Sequence, residues 1–418
     1  MRVELLAVGT ELLLGDVVNT NAAWLGRRLA AAGLDVTTAA VVGDNIGRIT
    51  AAVSGGLERA DALVVTGGLG PTQDDLTREA LASVAGVALV RDPGLERALR
   101  ERYAGFGHGV PERNYRQADR PSNADVLANP RGSAPGLCLE LPAGVVYALP
   151  GVPHEMEAMF TASVLPDLLR RAGKPAVIVS RVLRVAGMWE SAVADALAEL
   201  EAELAAVGNP TIAFLAERGE VRVRVTAKAA DDAAAARLIE PVERLARAAL
   251  GANVYGADEE TLASATSRLL LEAGATVAVA ESLTGGLLGA RLSEDAGSSA
   301  TFRGGVVAYA TGLKADLLGV GAATLDRSGA VSAETAVAMA EGVRHRLGAT
   351  YGLSLTGVAG PEEQEGAPVG TVYAGLAGPG GSAAVLHRLT GDRARVRVLA
   401  TLAALDLLRR HLLGEPTG

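Results

Sequence analysis

Thiols are almost missing from this chain. One cysteine, Cys138, in 418 residues excludes an internal disulfide and any cluster of thiolate metal ligands, and it fits a reducing compartment. Histidine is nearly as scarce: five are scattered along the chain, and no two stand as a ligand pair at helical spacing. His154-Glu155 opens like a zinc-protease helix, but Ala158 holds the place of the second histidine, so zinc hydrolysis is not expected. Charge-free apolar runs of about twenty residues are also missing, so no membrane span is expected. The opening Met1-Arg2-Val3-Glu4 lacks the basic-then-apolar order of a signal peptide, which makes the cytoplasm the expected compartment. Positive charge is in deficit, with 39 Lys and Arg against 48 Asp and Glu and a formal net charge of -9. That balance argues against direct nucleic-acid binding, whose affinity comes from clustered basic side chains. A small anionic metabolite needs only a local positive site and stays compatible. Lysine occurs only at 174, 228 and 314, so each one is conspicuous.

What is present is the composition of a folded multidomain protein: 49% hydrophobic, 21% charged, and longer than one core usually supports. Apolar runs of strand length alternate with amphipathic stretches of helical length: a strand over 3–8, a helix over 21–32, a strand over 35–42, a helix over 46–60 and a strand over 62–66. This order predicts an α/β layered domain with parallel strands, ligands lying at their carboxyl ends. A Pro/Gly-rich stretch over 130–153 reads as loops and a short hairpin, followed by a helix to about Arg171. Gly173-Lys174-Pro175 reads as a boundary. Residues 174–256 change character to strand, helix (191–204), two strands and helix (231–250), an order that resembles a KH-like module. The Gly-x-x-Gly loop that clamps RNA is absent, because the turn reads Gly208-Asn209-Pro210-Thr211. A spacer or dimerisation role is expected for it. A third α/β series occupies 257–418, after the N-terminal domain over 1–173.

In the last series, Ala280-Glu281-Ser282-Leu283-Thr284-Gly285-Gly286 joins an apolar strand to a helix. Such a turn exposes its serine, and free amides at the helix start suit an anion or a developing oxyanion, though the pattern also suits a plain cap and turn. A second Gly-bounded strand ends at Tyr309 and leads to Lys314 near a helix start, an unfavourable place for a cation. Buried there, the amine would lose its charge and take a proton from a serine hydroxyl. Thr356-Gly357-Val358-Ala359-Gly360-Pro361 is another strand-to-Gly turn that lets backbone amides approach a ligand. Arg393 and Arg397, one helical turn apart, suit either a phosphate or an exposed, salt-bridged helix end.

In the first series, Thr66-Gly67-Gly68-Leu69-Gly70-Pro71-Thr72-Gln73-Asp74-Asp75 follows a strand and opens a helix. Its amides suit a diphosphate, and the carboxylate pair suits a magnesium-like ion. It is neither a dinucleotide fingerprint nor a Walker loop. Thr10, Glu11, Asn19 and Asp44 fall on the same rim of the predicted sheet, where they serve either as ligand contacts or as ordinary caps.

Taken together, AESLTGG, the strand ending in Tyr309 and Lys314, GAVS at 329–332, the TGVAGP turn and PVGTV at 368–372 resemble the nicotinamide mononucleotide deamidase domain of the CinA family. That resemblance implies attack by Ser282 on the carboxamide, Lys314 as base and then acid, and Tyr309 orienting the lysine or substrate, with no metal. It implies substrate contacts from Glu281, Thr284, Gly285, Gly286, Thr356, Gly357, Ala359 and Gly360, with the phosphate near Arg393 and Arg397. GTELLLGD, the GGLGPTQDD run and LPGVPHE, which includes Pro150, Gly151 and Glu155, resemble the molybdopterin-binding-like N-terminal half of the same family. There the resemblance implies ADP-ribose pyrophosphatase activity dependent on a divalent metal (Mg, Mn or Co) held by Asp74, Asp75 and Asp44. It also implies a homodimer. The competing reading of that half is a non-catalytic binding module in a competence or DNA-damage accessory protein.

Overall fold

The computed structural model describes every residue except Phe106, Lys174, Pro175, Arg218 and 416–418, so Lys174 and Pro175 of the expected boundary lie outside the described residues. Two compact units emerge, Met1–Val179 with Ala227–Arg237, and Ser180–Thr226 with Leu238–Gly418.

The first unit is built on a six-stranded sheet. Its strands are β1 (Arg2–Val8), β2 (Asp35–Val42) and β3 (Ala62–Thr66), then, after a separate antiparallel pair β4 (Leu89–Arg91) and β5 (Asp119–Pro121), β6 (Asp125–Leu127), β7 (Gly136–Leu141) and β8 (Gly144–Leu149). The order is β2-β1-β3-β8-β7-β6, parallel from β2 to β8 and antiparallel at the β7 and β6 edge. Both faces are covered, so the central strands read as continuous apolar runs. Val3 and Leu5 pack with Leu25 and Leu29 of the helix Thr20–Ala31, while Leu6 and Val8 pack on the other face with Ile49 and Val53 of the helix Ile46–Arg59. Glu4 interrupts this apolar order. Its buried carboxylate is held by a two-pronged contact from Arg59, Nε to Oε1 at 2.9 Å and Nη2 to Oε2 at 2.8 Å. The expected helix after Pro153 runs through Pro153–Met159 and Leu165–Ala172, with a π-type turn over Phe160–Val164 between them.

A four-stranded sheet, most of whose residues belong to the second unit, takes the order β10-β11-β9-β12, from β9 (Val177–Val185), β10 (Thr211–Glu217), β11 (Glu220–Ala229) and β12 (Val254–Ala257). The one helix expected over 191–204 is two, Glu190–Ala196 and Ala198–Val207. Leu197 leaves helical dihedrals (φ -113°, ψ 10°) where its side chain enters the core beside Val193 and Val223. β12, with no counterpart in the expected order, pairs with β9.

The five-stranded sheet of the second unit comprises β13 (Val277–Glu281), β14 (Phe302–Val307), β15 (Tyr351–Gly357), β16 (Thr371–Gly378) and β17 (Gly381–Arg388), in the order β14-β13-β15-β16-β17. The first three are parallel and the last two form an antiparallel hairpin. Its two faces differ. Val277, Val279, Leu353 and Leu355 build an aliphatic core with the helix Arg393–Leu412, whereas the opposite face carries Gly352, Ser354 and Gly375 and receives the helix Ala333–Leu347 at close range. Ser354 Oγ donates to the Ala336 carbonyl at 2.6 Å, and a Cβ on Gly375 would sit 2.4 Å from that same oxygen. Gly342 plays the matching part on the far side of this helix, against the helix Thr311–Leu318. No helix among the described residues is long and apolar enough to cross a membrane.

A Cβ on Gly342 would lie 1.9 Å from the Leu318 carbonyl oxygen, a backbone atom that cannot swing away. Gly342→Ala should therefore lose about 1–3 kcal/mol to overpacking, against a helix-propensity gain of about 1 kcal/mol at most. A urea midpoint equal to or above that of the wild type would contradict this packing.

Candidate functional site

Three neighbouring parallel strands bring the chemistry of the C-terminal sheet together at their carboxyl ends, as open α/β sheets do. Ser282 follows β13, Ala308 and Tyr309 follow β14, and Thr356 and Gly357 close β15. Lys314, on the first turn of the helix Thr311–Leu318, is only 1% exposed. Its Nζ lies 3.1 Å from Ser282 Oγ and 3.0 Å from the Ala308 carbonyl oxygen. Burial pushes this amine below the usual lysine range, with the Glu365 carboxylate opposing the shift. A neutral amine has two N–H donors and one lone pair. With one hydrogen on the Ala308 carbonyl, the lone pair is free to accept the serine proton.

The turn that presents Ser282 is organised by Glu281. Its buried carboxylate accepts from the amides of Gly286 and Leu288, each at 3.0 Å, and of Gly289 at 2.8 Å. This corrects two expectations: Glu281 braces the turn and does not line the cavity, and the helix-start amides expected to be free are occupied. Among the described residues the amides of Leu283 and Thr284 have no partner, and Leu283 lines the cavity. Thr284 is buried, and its carbonyl accepts from Arg397 Nη2 at 2.7 Å. Arg397, Thr284, Gly285 and Gly286 therefore shape the turn from behind, with the two glycines at φ +60° and +99°. They do not line the cavity, so Arg397 is no phosphate contact there.

That cavity, about 110 Å³, is lined by Ser282, Lys314, Tyr309, Thr356, Gly357, Ala359, Gly360 and Arg393 among the expected residues. Thr356 donates its hydroxyl to the Ala330 carbonyl at 2.6 Å, fastening the GAVS turn to β15. Tyr309, 56% exposed, accepts from Arg393 Nη2 at 2.6 Å and makes no bond to the lysine among the described residues. Arg393 also donates to the Gly360 carbonyl. Sequence reasoning missed Ala330, Val331, Glu362 and Gln364 in the lining. The first two lay in a quoted motif; Glu362 and Gln364 lie in a polar loop that carries no local signal. Cys138 is buried, and burial pushes its thiol up to about 11, so the lone cysteine is no nucleophile at neutral pH.

A larger cavity of about 510 Å³ opens at the carboxyl ends of β1, β3 and β8. Every expected N-terminal residue lines it except Thr10: Glu11, Asn19, Thr66, Gly67, Gly68, Gly70, Pro71, Thr72, Pro150, Gly151 and Glu155, with Asp44, Asp74 and Asp75. Thr10 instead exchanges hydrogen bonds with Asp44, its amide to Oδ2 at 2.8 Å and the Asp44 amide to its Oγ1 at 3.2 Å, tying β1 to β2. The metal set is also corrected. Asp75 turns both oxygens to the loop, accepting from Gly70 N at 2.8 Å and from Thr72 N at 2.7 Å. Asp74 accepts from the Thr72 hydroxyl, which holds its carboxyl below the usual range. Among the described residues no three His, Cys, Asp or Glu side chains gather into a group able to hold a metal. The three carboxylates thus make no preformed cage. The lining includes Gln117, which lies in no motif and was missed.

Known proteins share this organisation. Residues 4–170 match the family described as "Probable molybdopterin binding domain", 180–256 match "Damage-inducible protein CinA KH domain", and 259–412 match "CinA C-terminal domain". A CinA-like protein of Frankia casuarinae is 60% identical over 421 residues, covering 100% of this chain and 97% of its own length. One from Gloeobacter violaceus is 48% identical, covering 98% of this chain and 96% of its own. A solved CinA protein of unknown function from Thermoplasma acidophilum shares 36% identity over 40% of this chain and 97% of its own, with a TM-score of 0.37.

The buried amine should make stability depend on pH. Lys314 binds its proton less readily folded than unfolded, so as pH rises from its lowered folded value toward about 10.4 the unfolded chain carries the extra proton and the native state gains. Relative to Lys314→Met, the wild type should gain stability over that range at up to about 1.4 kcal/mol per pH unit. Urea midpoints measured from pH 6 to 10.5 check this, and a pH-independent difference between the two proteins would refute it.

Proposed function

This chain belongs to the CinA family, and from that premise we propose that its C-terminal cavity hydrolyses the carboxamide of nicotinamide mononucleotide to nicotinic acid mononucleotide and ammonia. The observation that carries the reading is the buried pair, Lys314 Nζ within 3.1 Å of Ser282 Oγ. Ser282 Oγ attacks the carboxamide carbon as its proton passes to Nζ, and the C=O pair moves onto oxygen. The Leu283 amide, adjacent to the nucleophile and without a partner among the described residues, is our candidate donor to that oxyanion. Collapse expels the amine, which takes the proton back from Lys314 and leaves as ammonia. A water then gives one proton to the neutral Lys314 amine as it attacks the acyl-serine, the serine oxygen recovers that proton on collapse, and the released carboxylic acid loses its own proton to solvent.

For the N-terminal cavity we propose binding of a nucleotide diphosphate such as ADP-ribose. Five carboxylates line it, Glu11, Asp44, Asp74, Asp75 and Glu155, with no Lys, Arg or His among the described lining residues. A diphosphate entering that field must bring its own counter-charge. The Asp75 carboxylate, tied to the loop through both oxygens, favours a binding module over a pyrophosphatase.

Ser282→Ala and Lys314→Ala should each lower kcat/KM for ammonia release by about a thousandfold or more, and Lys314→Arg should be equally inactive because a guanidinium stays charged. Wild-type kcat/KM should fall as pH drops through the lowered lysine value, since only the free amine accepts the proton. Turnover retained by any of the three variants would overturn the assignment. For the other cavity, ADP-ribose should bind with magnesium, manganese or cobalt present and not in EDTA. AMP release with any of these ions would replace the binding module by the pyrophosphatase reading.

A further inference from the structure

The hairpin after Gly360 carries a glutamate in a backbone conformation that does not suit it. Gln364 and Ala367 exchange backbone hydrogen bonds, Gln364 N to Ala367 O at 3.2 Å and the reverse at 2.8 Å, around a two-residue turn of Glu365 (φ +53°) and Gly366 (φ +72°). Turns with positive φ at both central residues favour Asn-Gly, because a short polar side chain tolerates the left-handed region and glycine meets no penalty there. A glutamate gains nothing from such a turn, and its side chain supplies the reason for it. The carboxylate reaches the GAVS turn, where Oε2 accepts from the Ala330 amide at 2.7 Å and, more weakly, from the Val331 amide at 3.4 Å. Gly329 leaves the space for it: a Cβ there would stand 2.4 Å from the same oxygen. The Ala330 carbonyl is held by the Thr356 hydroxyl, so this residue is gripped at both its amide and its carbonyl. Among the described residues, 361–367 make no other hydrogen bond to the rest of the protein. Both sides of the contact line the cavity of Ser282 and Lys314, Ala330 and Val331 from the turn and Glu362 and Gln364 from the hairpin. The charge of Glu365 is felt at Lys314 itself, where it opposes the effect of burial.

We propose that Glu365 is a positioning residue for the substrate: its carboxylate latches the hairpin onto the GAVS turn and so fixes the part of the cavity wall that Glu362 and Gln364 form. This rests on the reading of the cavity as an amide-hydrolysing site and deepens it. Ser282 and Lys314 stand on the turn after β13 and on the helix Thr311–Leu318, outside the hairpin, so the latch governs how the substrate is held and leaves the proton transfer alone. Glu365→Asn installs the residue that the turn favours, with a side chain one methylene short of the Ala330 amide. Glu365→Gln keeps the length and one oxygen acceptor.

Kinetics of ammonia release from nicotinamide mononucleotide, and amide hydrogen exchange read by mass spectrometry, test this on the full chain. Glu365→Asn should raise KM about tenfold, with kcat within about twofold of the wild type. The amides of Ala330 and Val331 should exchange about tenfold faster in that variant. Glu365→Gln should stay within about threefold of the wild type in both readouts. Wild-type KM or wild-type exchange in Glu365→Asn would make Glu365 a turn residue only and overturn the inference. A loss carried by kcat, or a Glu365→Gln protein as impaired as Glu365→Asn, would overturn it too. A wild type that releases no ammonia would end the hydrolase reading, and the exchange comparison, which needs no substrate, would still decide for or against the latch.

Discussion

The C-terminal half of this protein is arranged around keeping one amine dry. Lys314 Nζ has the Ala308 carbonyl and the Ser282 hydroxyl as partners, and it sits where burial makes the ammonium form costly. Everything that encloses it serves that condition. The helix Ala333–Leu347 sits close to the Lys314 helix because Gly342 leaves room for the Leu318 carbonyl, and it sits close to the sheet because Gly352 and Gly375 leave room for its own carbonyls. A looser shell would admit water and relieve the burial that favours the neutral form of the amine.

Glu281 illustrates how a charged side chain in a functional motif can belong to the scaffold. Three amides converge on its carboxylate, so the tight turn after β13 is held by charge-assisted hydrogen bonds, and Ser282 is presented from a rigid support. Arg397 repeats the pattern from the opposite side through the Thr284 carbonyl. Asp75 and Thr10 do the same for the N-terminal cavity. In both cavities the residues nearest the ligand space are therefore backed by polar groups that resemble ligand contacts in composition.

That resemblance limited the reading of the sites. The first three strands of the N-terminal sheet and the two long helices between them were legible, because alternating strand-length and helix-length apolar runs state their own periodicity, whereas the short helix Thr10–Leu14 was not. Ser282 and Lys314 were each legible as candidates, because both stand on strand-to-helix turns of one series, and the family resemblance implied their pairing. The break at Leu197, the π-type turn at Phe160–Val164 and the added strand β12 were not, since each arises from how a side chain or strand fits its neighbours in three dimensions. Gln117 was illegible for a related reason: it carries no motif, and its place in the cavity comes from Arg116 anchoring a segment distant in sequence to the Gly-rich loop.

The amino-acid sequence by itself determined the alternation of strands and helices, the want of thiolate and histidine ligand sets, and which serine and which lysine stand at strand ends, because period, spacing and residue type are local quantities. Tertiary structure alone decided which polar side chains face a ligand and which are spent on the backbone. A carboxylate or guanidinium reads identically in either role until folding sets the amides and carbonyls around it, and those partners come from turns that the sequence leaves far apart.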